Sequence, residues 1–218
     1  MNKGYIILMM STLSIAFLHS LAPDHWMPFA VIGKARKWSD LKLVFVTFVS
    51  GIGHVGSSIL LGALGIALGF SLTHLKAVES QRTHIGIFLL VGFGIAYMLW
   101  GIKKAREYKH EHSHTHNVDS KTVTLWTLFA VFVLGPCEPL IPIMFLATDY
   151  GWSGIALASA TFSAVTILMM IGQTLLARYG IQMIRHDIAE RYSHALAGLV
   201  ITLTGGVVLK ARYWSPIA

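Results

Sequence analysis

His19-Ser20-Leu21-Ala22-Pro23-Asp24-His25-Trp26-Met27-Pro28 closes the first apolar run of the chain. Two imidazoles and a carboxylate fall within seven residues, after a run that carries no Lys, Arg, Asp or Glu from Gly4 to Pro23. On an unbroken helix, positions 19, 24 and 25 would point in different directions, at about 100° per residue. Pro23 removes a backbone donor and disfavours helical geometry at Ala22, so a break is expected there that lets the three side chains converge. Taken alone, the stretch also fits an interfacial turn whose polar residues sit among headgroups, with Trp26 as the aromatic anchor.

The surrounding composition belongs to a membrane. Of 218 residues, 55% are hydrophobic and 12% charged, and 20 are glycine. A helix needs about 20 mostly apolar residues to cross a hydrocarbon core about 30 Å thick, which limits this chain to six or seven crossings. Apolar runs mark six: Tyr5 to Leu21, Leu43 to Phe70, Ile85 to Ile102, Val123 to Thr148, Trp152 to Leu176 and His194 to Leu209. Thr73 to His84 and Ile181 to Tyr192 mix charged and apolar residues, as interfacial helices or helix extensions do. The expected fold is an all-α polytopic membrane protein. Lys3 followed by Gly4 to Phe17 also has the layout of a signal peptide. His19, Asp24 and His25 directly after it, and the repeat described below, argue that this helix is retained.

The formal charge of +7 does not indicate nucleic acid, because the basic residues lie in short stretches between apolar runs rather than along one face. Connections one, three and five hold twelve of the 17 Lys and Arg: Lys34, Arg36, Lys37, Lys42; Lys103, Lys104, Arg106, Lys109, Lys121; and Arg178, Arg185, Arg191. By the positive-inside rule these connections face the cytoplasm and both termini face outward across an inner (plasma) membrane. Cys137 is the single cysteine. It has no intramolecular disulfide partner, and there is no CxxC pair for structural zinc or dithiol chemistry.

The halves resemble each other where the first and fourth runs end. Asp24-His25-Trp26-Met27-Pro28 has its counterpart in Glu138-Pro139-Leu140-Ile141-Pro142, and Arg82-Thr83-His84 before the third run in Arg191-Tyr192-Ser193-His194 before the sixth. Three crossings reverse the chain, so the repeat returns inverted. The expectation is an inverted 3+3 repeat with proline-broken first and fourth helices and a site near the midplane. Residues 1–105 form the first repeat, 106–121 a His-rich cytoplasmic linker and 122–218 the second repeat.

His54 lies in Gly51-Ile52-Gly53-His54-Val55-Gly56-Ser57-Ser58, well inside the second crossing. An ionisable group there is costly to bury and marks a functional position by default, although a packing histidine bonded to a backbone carbonyl is the alternative. The small residues around it let a neighbouring helix approach closely. Imidazoles with a carboxylate suit nickel, cobalt or zinc, whereas magnesium and calcium want oxygen.

The H-x4-D-H pattern of His19, Asp24 and His25, followed on the next helix by a glycine-histidine-small-residue stretch, resembles the nickel/cobalt transporter family. The match is closest to its short six-helix relatives known as urease accessory membrane proteins. The resemblance covers the first two helices, and the rest by helix count and repeat layout. It implies that His19, Asp24, His25 and His54 recognise and carry the metal. The larger family has about eight helices and later acidic motifs that are absent from this sequence.

Gly135-Pro136-Cys137-Glu138-Pro139-Leu140-Ile141-Pro142 breaks the fourth helix where the repeat expects it. It also resembles the proline-cysteine break of the cytochrome c biogenesis thiol-transfer family, whose members use one cysteine in each repeat. Here Pro23 stands opposite Cys137, so a dithiol cycle lacks its partner. Glu138, aligned with Asp24, is a candidate second carboxylate of a metal site or a proton-coupling group; a salt bridge is its other reading. Ser57, Cys137, Ser163 and Thr166 are candidate pathway residues, though hydroxyls also bond their own helix backbone. His110, His112, His114 and His116 in the linker form a tract suited to capturing divalent metal, or simply a solvated linker.

Together these features point to transmembrane transport of a divalent transition-metal cation, nickel or cobalt and then zinc, by gradient-driven alternating access. Two alternatives are an exporter of small organic or sulfur-containing anions, which would want basic or amide groups at the midplane, and a thiol or electron carrier. No enzymatic activity and no resident cofactor are expected; the ion is cargo. No G-x4-G-K-[ST] run marks an ATP site. The implied partners are the lipid bilayer and the ion, with a cytoplasmic metallochaperone or a second copy of the chain left open. Binding needs neutral imidazole, so affinity should fall as pH drops through about 6.5.

Overall fold

The structure, a computed structural model, describes residues 3–107, 119–135, 137–182 and 192–214. Among these residues every element is helical. In chain order they are α1 (Lys3–Ser20), a 3-10 turn (Pro23–His25), α2 (Met27–Ala35), α3 (Asp40–Ala67) and α4 (Leu72–Glu107). There follow α5 (Asp119–Leu134), α6 (Leu140–Leu146), a second 3-10 turn (Ala147–Tyr150), α7 (Gly151–Gln182) and α8 (Ser193–Trp214).

Among the described residues, four helical stretches are long and apolar enough to cross a membrane: Asp40–Ala67, Leu72–Arg106, Leu140–Gly180 and Ser193–Ala211. The third contains α6, the 3-10 turn and α7, divided at Gly151, whose φ of 69° is left-handed and open only to glycine without strain. Side-chain distribution agrees with a lipid surround. On α3, Phe45, Ile52, Leu60 and Leu64 face outward and are exposed, while Thr47, Ser50, His54 and Ser58 are buried. That polar stripe recurs every three or four residues and turns inward, the reverse of a helix on the surface of a water-soluble domain. The chain is therefore an all-helical membrane protein.

Both proline clusters interrupt helices. Ala22 is extended (φ −58°, ψ 129°), as the residue before a proline should be, and Pro23 opens the 3-10 turn. Pro28 then sits in the first turn of α2, where a missing N–H costs nothing. In the other half α5 ends at Leu134, Pro139 caps α6, and Pro142 again falls within the first turn. Thr73 to His84 is a helix extension, because α4 runs unbroken from Leu72.

α4 and α8 pack antiparallel through small residues. Gly94 faces Gly198 and Thr202, Gly101 faces Ala195, and Gly205 faces Val91. Two apolar cores fill the bundle. One gathers Phe29, Ile32, Leu43, Leu128, Phe132 and Ile201, and the other Leu8, Val55, Leu140, Met144 and Phe162. The first ends in a polar cluster, where Arg36 donates to the Tyr97 hydroxyl (3.3 Å), Tyr97 lies 2.9 Å from His194 Nδ1, and Arg178 pairs with Asp40 (2.9 Å). His54 lies between the cores, next to Val55 in sequence and against Phe132 in space.

A methyl group at Gly198 would collide with the backbone of Met98, whereas one at Gly206 meets open space. Gly198→Ala is expected to lower stability by about 1–3 kcal/mol, and Gly206→Ala not to lower it. Chemical unfolding of the two variants in detergent measures the difference, and equal midpoints would contradict the close approach.

Candidate metal centre

The break after α1 brings together side chains that a continuous helix would separate. His19 lies in the last turn of α1 and His25 at the end of the 3-10 turn. Their Nε2 atoms are 3.1 Å apart and their rings meet edge to face, with centroids 4.5 Å apart. The other nitrogen of His25, Nδ1, lies 3.1 Å from the Asp24 carboxylate. A carboxylate behind an imidazole fixes ring orientation and tautomer, the arrangement that usually stands behind a metal-binding histidine.

α3 contributes His54 from near its midpoint. His54 Nδ1 lies 3.2 Å from the carbonyl of Phe132, and a carbonyl can only accept, so Nδ1 carries the proton. Phe132 is in the last turn of α5, where carbonyls lack intrahelical donors, and it also accepts from the Gly135 amide (3.1 Å). The other nitrogen, Nε2, then keeps its lone pair. It is buried and has no hydrogen-bond partner among the described residues. The His54 ring centroid is 5.1 Å from that of His25 and 6.1 Å from that of His19.

Cys137, fully buried, follows the second break. Its Sγ is 3.7 Å from His19 Nε2, and one ligand atom from each of His19, His54 and Cys137 lies within 4.8 Å of the others. Phe162 of α7 closes one side, 5.8 Å from the His19 ring. On the other side Asp24, His25 and His54 border a cavity of ≈ 30 Å³ with walls that include Ile87, Leu90, Val131 and Phe132. That is room for one water-sized species.

The remaining sequence candidates divide. Asp24 meets the cluster through His25. Glu138 is exposed and accepts from the Thr83 hydroxyl (2.8 Å), so the carboxylate aligned with Asp24 is not brought to the imidazoles; its neighbour Cys137 is. Ser57 Oγ lies 2.8 Å from the His54 carbonyl and 3.0 Å from that of Val133. Ser163 donates to the Ser159 carbonyl of its own helix, its backbone-bonding reading. Thr166 is fully buried, and its hydroxyl has no hydrogen-bond partner among the described residues. His110, His112, His114 and His116 lie outside the described residues.

Sequence reasoning missed Glu79 and Arg82. Glu79 is buried and Arg82 half-buried where α4 passes the second break. Arg82 donates to Ser57 Oγ (3.1 Å), Ser58 Oγ (3.1 Å) and the Gly135 carbonyl (2.9 Å), and lies 3.3 Å from Glu79 Oε2. Glu79 Oε1 accepts from Ser58 Oγ (2.9 Å) and from the Cys137 amide (3.2 Å). The cation thus meets the carbonyl end of α5 and the anion an amide freed by the break, each matching the local dipole. Gly86 lets α4 approach, its missing side chain leaving room for the Leu134 carbonyl and Gly135. The available signal was spacing, since Glu79, Arg82, Thr83 and Gly86 share one helical face.

No protein-family model matches the chain, and no curated protein or solved structure does.

Removing Arg82 alone strands the Glu79 charge in the bundle. Arg82→Ala should cost about 3–5 kcal/mol, whereas the paired replacement Glu79→Gln with Arg82→Met should cost less. Thermal unfolding in detergent ranks the two, and a paired variant as weak as the single one would contradict the network.

Proposed function

We propose that this chain carries a divalent transition-metal cation, nickel or cobalt first and zinc next, across the inner membrane. His19, His25 and His54 bind the ion and Asp24 orients His25. The observation that carries the reading is His54 Nε2, a lone pair buried in an apolar bundle, unpartnered among the described residues, its tautomer set by the Phe132 carbonyl. A histidine serving only to pack would have no use for a neighbouring pair of imidazoles whose own nitrogens already touch. Imidazole nitrogens favour these metals over magnesium or calcium.

Transport follows from an inverted 3+3 repeat of six crossings, in which α1–α2 and α5–α6 are the two broken crossings. Packing between the halves supports this, because most of it comes in exchanged pairs, although α4–α5 has no such counterpart among the described residues. α1 lies on α7 as α5 lies on α3, α2 meets α7 and α8 as α6 meets α3 and α4, and α3–α7 and α4–α8 pair with their own counterparts. Rocking one half against the other would open the site alternately to the two sides. Basic residues from connections one, three and five put those connections in the cytoplasm and both termini outside. The resemblance to nickel/cobalt transporters, carried by His19, Asp24, His25 and His54, points to the same cargo.

Anion export is less well supported. Arg82 is a half-buried basic group close to the second break, yet its charge is met by Glu79 and its Nη2 donates to Ser57, Ser58 and Gly135.

Cells lacking their own nickel and cobalt transporters, expressing the chain or its His19→Ala/His54→Ala variant at equal membrane levels, should differ in accumulated labelled metal. Higher accumulation with the native chain marks uptake and lower accumulation export. No difference for nickel, cobalt or zinc would sink the proposal.

A further inference from the structure

Cys137 has no part in the function just proposed, yet its place in the cluster fits a ligand. Metal–sulfur bonds of about 2.3 Å and metal–nitrogen bonds of about 2.0–2.1 Å, at tetrahedral angles, put sulfur and nitrogen about 3.5 Å apart and two nitrogens about 3.4 Å apart. Cys137 Sγ and His19 Nε2 are 3.7 Å apart, and His19 Nε2 and His25 Nε2 are 3.1 Å apart, each within a few tenths of an ångström of those edges. His54, which with His19 and Cys137 has one ligand atom within 4.8 Å of the others, is 3% exposed and carries the unpartnered Nε2. The backbone holds the cysteine in place, since its amide donates to Glu79.

Charge gives an independent reason. A divalent cation among neutral imidazoles leaves two positive charges in a bundle without bulk water, which is costly. Asp24, bonded to His25, supplies one negative charge. Glu79 cannot supply the second, because it is paired with Arg82. Glu138 bonds Thr83 instead. A thiolate at Cys137 would bring the site to zero.

We infer that Cys137 is a metal ligand, its thiolate joining His19, His54 and His25 in a mixed nitrogen and sulfur site built from both halves of the chain. This rests on the proposed function. Loading forms a metal–sulfur bond and breaks the S–H bond, the proton leaves to solvent, and no electron moves. Such a site takes borderline and soft cations and rejects magnesium, calcium and manganese. It also ties the ion to the backbone after the second break, so that loading engages α5 and α6 as well as α1 to α3.

Cobalt(II) tests this by absorption, because its visible d–d bands report any ordered site, while an intense near-ultraviolet charge-transfer band reports thiolate. The full chain, purified in detergent and titrated with cobalt chloride, should show both. Cys137→Ser should keep the visible bands, lose the near-ultraviolet band, and bind with at least the roughly tenfold weakening that loss of even an outer-shell partner causes. Visible bands without the near-ultraviolet band in the native chain would overturn the inference and leave the proposed function standing. If the native chain shows neither, the imidazole site itself fails and the inference falls with it.

Discussion

A helix interrupted inside a packed bundle exposes carbonyls and amides that need partners, and two such interruptions govern this structure. At the first, the chain closes a 3-10 turn within itself and needs little outside help. The second is repaired by side chains from elsewhere. His54 meets the Phe132 carbonyl, Arg82 the Gly135 carbonyl, and Glu79 the Cys137 amide. Those three bonds fix α3 and α4 against the gap between α5 and α6. Gly86 makes the contact possible by leaving no side chain between the backbones.

The same repair creates the site. Once the Phe132 carbonyl accepts from Nδ1–H, His54 must present a bare Nε2 toward the interior, and the break after α1 sets His19 and His25 beside it. Each half contributes: the first three imidazoles and a carboxylate, the second a carbonyl that sets a tautomer and a buried thiol. In the proposed transporter, relative motion of the halves would change the coordination sphere. That would couple occupancy to conformation without a separate device, as alternating access requires.

Much of this was legible in the sequence because it rests on local chemistry. Pro23 and Pro139 act on their own and adjacent residues, so both breaks follow from the chain alone, as does the convergence of His19 and His25. His54 stood out as an imidazole deep in an apolar run. Glu79 and Arg82 did not, because they lie at a helix end that could equally have met headgroups; only the packing of α4 over the second break shows Glu79 buried and Arg82 turned to the exposed backbone there. The choice between Cys137 and Glu138 was illegible for a related reason. Adjacent residues differ by about 100° around a helix, and the register after a proline break is set by tertiary contacts such as the Glu79 bond to the Cys137 amide.

In the proposed function, the imidazoles of His19, His25 and His54 hold a metal ion inside the bundle. X-ray absorption at the nickel edge, on the full chain loaded with nickel in lipid nanodiscs, tests it most directly. About one nickel per chain is expected, with imidazole nitrogens in its first shell seen through the outer-shell scattering of the rings. A shell of water oxygens alone, or no nickel retained, would contradict it.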